Sequence, residues 1–239
     1  MGALTAWLGL LLSVAASAGE APPGDVTQMS TALFRDVQSF WSQQVASLGG
    51  RYRPTQLHFF GEPPSHPCGL MSVVRGPFYC PGDETVYLDQ GFMQQLGQSS
   101  RREANLAVGF VVAHEMAHHI QNVIGTTALV EQARARSTPE LATRILTTLE
   151  LQADCYAGLW ARWSAAQGTI KVPDDASGLL DTVATLSQQW QSHLTSGQQV
   201  LDPFTQGSAA QRLKWFRRGL DSGNFNDCNT FGAASAGSL

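Results

Sequence analysis

The chain has 239 residues, of which 43% are apolar and only 14% charged, with a net charge of −4. That length and apolar share allow one domain with a sizeable core. Basic residues do not cluster beyond pairs such as Arg101-Arg102 and Arg217-Arg218, so a nucleic-acid partner is not expected.

The first 25 residues read MGALTAWLGLLLSVAASAGEAPPGD. Trp7 to Ala16 is apolar, and Ala16-Ser17-Ala18 offers a small-residue cleavage site. Residues 1–18 are therefore expected to be a signal peptide, although no Lys or Arg precedes the apolar run. The alternatives are an uncleaved anchor, which would associate the protein with a membrane, and a buried helix. The run is short for a span of about 20 residues. Residues 19–29 read as a linker, and 30–235 as one domain.

Within residues 30–48, Leu33, Phe34, Val37, Phe40, Trp41, Val45 and Leu48 fall on one helical stripe, closed by Gly49-Gly50. Residues 51–90 are rich in proline and glycine. LHFF and TVYLD read as strands there, with CPGDE as a turn between them. Ala104–Ile124 is helical, apolar on most faces and stopped by Gly125, which marks a buried helix. A second long helix is expected from the Ser137-x-x-Glu140 capping box, with Pro139 in its first turn, to Gly168. A third spans about Ser177 to Leu194. A last one opens at Ser208, with Gln211 completing a capping box, and stops at Gly219. The fold class is α+β, mostly helical, with a small irregular β region.

Four cysteines, Cys68, Cys80, Cys155 and Cys228, lack any CxxC pair. An even count in an exported chain predicts two disulfides. Cys68 and Cys80 flank a turn-rich stretch, which favours Cys68–Cys80 and Cys155–Cys228 over the other two pairings.

His114-Glu115-Met116-Ala117-His118 carries the chemistry. Residues four apart share a helix face, so both imidazoles can reach one zinc ion while Glu115, one step round, addresses a water. A third ligand is needed. His119 points about 100° away from His118 and is excluded. Glu150 sits among Leu149, Leu151, Ala153 and Tyr156, where a carboxylate is costly unless paired or ligating. Asp154 lies one turn later on the same face and suits the role of orienting a histidine. His193 is the reserve ligand. Asp174 and Asp175, beside Pro173, read as helix-start residues.

At these residues the chain resembles gluzincin-type metallopeptidases, in which HExxH is followed by Glu-x-x-Ala-Asp on a later helix. More closely it resembles the neutral zinc metallopeptidase family of bacteria, the YpfJ-like proteins. The resemblance runs from about residue 35 to 234 through GPFYCP, VYLD, HEMAHHIQ, ELQADCYAGLW, GSAAQRLKWFRRGLDSG and CNTF. It implies a zincin-like active-site helix and one zinc ion on His114, His118 and Glu150. It also implies Glu115 as catalytic base. The family label supplies no substrate; a peptide or protein substrate is the expectation from water activated by zinc and a glutamate base. The family pattern places a histidine before the Gly-Ser that opens the last helix; here that position is Gln206. This departure keeps open a second expectation, a weak or inactive metal-stabilised binding or scaffold protein. A third is a zinc hydrolase of non-peptide amides, such as those of the cell wall. The expected location is periplasmic or secreted.

Overall fold

The computed structural model describes residues 26–62, 68, 75–100, 103–192, 204 and 206–239. The signal-peptide or anchor segment at 1–18 and His193 lie outside the described residues. Among those described are eight α-helices and one three-stranded sheet.

Helix α1 (Val26–Ser47) opens four residues before the expected start, so the end of the expected linker is helical. Val26 and Met29 pack against the core, which explains the extension. Strands β1 (Gln56–Phe60), β2 (Phe78–Cys80) and β3 (Thr85–Asp89) pair in the order β1-β3-β2. The two expected strands are present and lie parallel, with Leu57 opposite Val86. The CPGDE turn instead joins β2 to β3 as an antiparallel pair, with Tyr79 opposite Val86. β2 has only three residues, too few for a period-two pattern to be read.

Asp89 ends β3 and caps helix α2 (Gln90–Ser99), accepting from the backbone N–H groups of Gly91 and Phe92. Helix α3 (Ala104–Val123) is the central element: every residue from Leu106 to Ala117 is buried. Its all-round apolar sequence requires that position. Gly125, at φ 85°, ends it and starts the short helix α4 (Thr126–Arg134).

Helix α5 (Pro139–Ala166) is buried continuously from Thr148 to Ala161. Its cap is Thr138, which accepts from the N–H of Leu141 at 3.4 Å, and not the expected Ser137. Ser137 Oγ donates back to Ala133 O at 2.8 Å, so its hydroxyl is already committed to the preceding helix. Helix α6 (Ser177–Ser192) follows. Helix α7 (Ala209–Ser222) opens on the expected Ser208–Gln211 capping box. It runs past Gly219 and ends at Gly223, φ 64°. Gly219 lies where α7 crosses α5: a Cβ there would sit 2.0 Å from Cys155 O. Gly158 faces α7 likewise, 2.1 Å from Phe216 O. These glycines let two helix backbones touch, so Gly219 serves a crossing and not a terminus.

A 3-10 turn (Phe225–Cys228) and helix α8 (Thr230–Ser235) complete the chain. The disulfides are Cys68–Cys80 and Cys155–Cys228, a pattern that fits an oxidising compartment. Among the described residues no helix is long and apolar enough to cross a membrane.

Candidate metal centre

The centre forms where α3 lies across α5. The 3.6-residue repeat puts His114 and His118 on the face of α3 turned to α5, and Glu150 and Asp154 on the answering face. Glu150 Oε2 lies 3.1 Å from His114 Nε2 and 3.2 Å from His118 Nε2. The three side chains offer ligand atoms all within 4.8 Å of one another. His114 is fully buried, and only 14% of the His118 side chain and 7% of that of Glu150 are exposed. Access is therefore from one side. That side opens into a cleft lined by Glu115, His118, Glu150 and Gln206, with Phe78 and Tyr79 of β2 on its wall.

Asp154 Oδ1 accepts from His114 Nδ1 at 3.0 Å. The ring thereby presents Nε2 to the centre. Arg212 of α7, which was not singled out in the sequence, donates to both Asp154 oxygens from Nε and Nη2, at 2.8 and 2.6 Å. Burial would protonate Asp154, but the Arg212 charge outweighs it and keeps the carboxyl below its usual range. Arg212 also donates to the carbonyl of Phe204 and lies 5.4 Å from that ring.

Burial disfavours charge on the imidazoles as well, yet the charge and hydrogen bond of Glu150 prevail and hold His118 up at about 9. Hydrogen bonds to Asp154 and Glu150 overcome burial at His114 and raise it in the same way. In return His118 and His114 hold Glu150 down to about 2 against burial. The cluster is thus an ionised carboxylate between two imidazoles, whose nitrogens facing Glu150 must shed their protons before they can ligate a cation.

His119 faces away, as its position next to His118 demands. Its Nε2 donates to Arg53 O at 2.7 Å, and Nδ1 accepts from Tyr79 Oη at 3.0 Å. It ties α3 to β2 and to the strand-leading segment. Asp174 lies in the loop before α6, where its backbone carbonyl accepts from Arg217. Asp175 caps Ser177 N at 2.9 Å.

Donors on a tetrahedral zinc, with bonds of about 2.0–2.1 Å, lie about 3.3 Å apart. The 3.1 and 3.2 Å separations at Glu150 Oε2 fit that spacing, and two imidazoles with one carboxylate are zinc-type donors.

A helix bearing HExxH laid across one bearing ExxAD, with Glu150 between the two histidines, defines the class: a metallopeptidase-like α+β protein built on a zincin-type helix pair. The chain belongs to the family described as "Putative neutral zinc metallopeptidase", whose model matches residues 13–231. It is similar to "Uncharacterized protein YpfJ" of Escherichia coli, with 32% identity over 208 residues, 87% of this chain and 72% of that protein. It is also similar to the uncharacterized proteins Mb2605 of Mycobacterium bovis and Rv2575 of Mycobacterium tuberculosis. Each is 38% identical over 200 residues, 80% of this chain and 66% of its own length. No solved structure matches.

Proposed function

We propose that the protein is an exported zinc-dependent peptidase that binds one zinc ion through His114, His118 and Glu150. The observation that carries this reading is the convergence of both Nε2 atoms on Glu150 Oε2 at the floor of a cleft that Glu115 also lines. Zinc in such a site supplies a Lewis acid and lowers the pKa of a water to about 7. Glu115, one residue beyond a ligand, accepts the proton of the attacking water and returns it to the leaving nitrogen. Asp154 keeps His114 oriented throughout. Phe78 and Tyr79 form an apolar wall for a substrate side chain. The paired cysteines support an exported location.

The test is metal analysis joined to mutation. Wild type should hold about one zinc per chain and cleave unfolded protein. Glu115→Gln should keep zinc and lose cleavage, while Glu150→Ala should lose zinc. Zinc well below one per chain after reconstitution would refute the site. Zinc without cleavage of any peptide would favour a second reading, a metal-stabilised binding protein. That reading draws support from the presence of Gln206 in the cleft, where a histidine is expected from the family pattern. A screen of wall fragments addresses non-peptide amides.

A further inference from the structure

His118 has a fixed partner on its own helix. Gln121 lies three residues on, and its Oε1 is 2.8 Å from His118 Nδ1. An amide can show a ring nitrogen either its oxygen or its NH2 group, and the two choices demand opposite tautomers. The surroundings of Gln121 decide between them. Its Nε2 donates to Leu149 O at 2.9 Å and to Gln152 Oε1 at 3.1 Å. Gln152 is held in turn, donating from Nε2 to Cys228 O at 3.1 Å. Both branches end on backbone carbonyls, which only accept, so each amide has one satisfied orientation. Both glutamines are buried, and a reversed amide would set oxygen against oxygen without water to relieve it.

We infer that Gln121 and Gln152 form a relay that holds the proton on His118 Nδ1, so that Nε2, which faces Glu150, is the nitrogen that gives up its proton when a metal binds. The relay reaches the C-terminal segment, because Cys228 is bonded to Cys155 and Thr230 Oγ1 donates to Thr148 O at 2.8 Å. The two histidines are thus oriented by different means: a carboxylate for His114, a neutral amide for His118. The amide orients its ring without adding another negative charge to a site that already holds the buried carboxylates of Glu115, Glu150 and Asp154. Gln121 and Gln152 are positioning residues. Their effect on metal binding rests on the zinc reading above; their hold on the Nδ1 proton does not.

The experiment follows both. Isotope-labelled histidine lets NMR observe the His118 Nδ1 proton with and without zinc, while chelator competition gives zinc affinity. Gln121→Leu should remove the hydrogen-bonded Nδ1 signal and weaken zinc binding about 10–100-fold. Gln121→Glu, which keeps an acceptor for Nδ1 but cannot donate to Leu149 O or Gln152 Oε1, should retain part of the Nδ1 signal and recover less of the affinity. Gln152→Leu and Gln152→Glu, neither able to donate to Cys228 O, should each weaken the signal and the affinity by less than Gln121→Leu. They serve as the probe if Gln121→Leu fails to fold. An Nδ1 signal and zinc affinity unchanged in Gln121→Leu, or in both Gln152 variants, would overturn the relay. A Gln121-dependent Nδ1 signal in a wild type that takes up no zinc would uphold the relay and refute the zinc reading.

Discussion

Arg212 grips Asp154 with two hydrogen bonds, of 2.8 and 2.6 Å, the second on Oδ1, the oxygen that also accepts from His114. Both side chains are almost wholly buried. Removing one member of such a pair leaves an uncompensated charge and costs about 3–5 kcal/mol. Arg212→Met should therefore lower the urea midpoint strongly. It should also weaken zinc binding, because Asp154 loses the charge that keeps it ionised beside His114. Asp154→Ala should weaken zinc by about 10–100-fold, less than Glu150→Ala. Unchanged unfolding and zinc uptake in Arg212→Met would contradict this.

The crossing of α5 and α7 tolerates no side chain at Gly158 or Gly219. A Cβ would lie 2.1 Å from Phe216 O or 2.0 Å from Cys155 O, backbone atoms in both cases. Gly219→Ala should destabilise by at least the roughly 1–3 kcal/mol typical of overpacking. It should also disturb zinc affinity, since Asp154 and Arg212 sit on the helices being forced apart. Thermal unfolding and zinc titration of the two alanine variants measure this; stability equal to wild type would rule out the close approach.

His119 sets a pH dependence. Burial lowers its pKa, and its ring is bonded as the neutral form to Arg53 O and Tyr79 Oη. The folded state thus holds fewer protons on this residue than the unfolded chain, where histidine titrates near 6.5. Its contribution is complete above about pH 6.5 and is lost as pH falls from there toward the lowered folded value. Stability should drop between pH 7 and pH 5 more steeply in wild type than in His119→Gln. Parallel denaturation curves for the two proteins would refute the assignment.

The Cys155–Cys228 disulfide spans 73 residues. The chain-entropy model gives such a closure up to about 4 kcal/mol. Cys155→Ala with Cys228→Ala should lower stability toward that limit and weaken zinc binding, since Asp154 and the Cys228 carbonyl both lose their anchor. Mass spectrometry of non-reduced, exported protein should find both pairs; free thiols at Cys155 and Cys228 would contradict it.

Gln206 lines the cleft with Glu115 and His118. An amide can donate a hydrogen bond to a developing oxyanion, but it has no labile proton near neutral pH and no charge. A protonated histidine would stabilise that oxyanion more strongly. Gln206→His should raise turnover and add a pH-dependent limb, measured at equal zinc occupancy over pH 5–9. Identical rates and profiles would place Gln206 outside the reaction.

Local spacing carried much of this protein. Four-residue separation is a rule of helix geometry, so His114 and His118 shared a face before any fold was known, and the same rule excluded His119. The carboxylates of Glu150 and Asp154 stood out because an apolar helix makes them costly. Caps were legible where one residue chooses its partner, as at Ser208 with Gln211; at Ser137 two adjacent hydroxyls competed, and the bond of Ser137 to Ala133 O left the cap to Thr138. The partners that orient the centre were not legible. Gln121 meets Gln152 across 31 residues and Gln152 meets Cys228 across 76, while Arg212 meets Asp154 across 58. Gly219 looked like a stop because glycine ends helices and also permits their contact, and sequence spacing is the same for both. Hydrogen bonds of that range depend on how α3, α5 and α7 cross, and that arrangement comes from burial of their apolar faces together, which no single stretch of chain encodes.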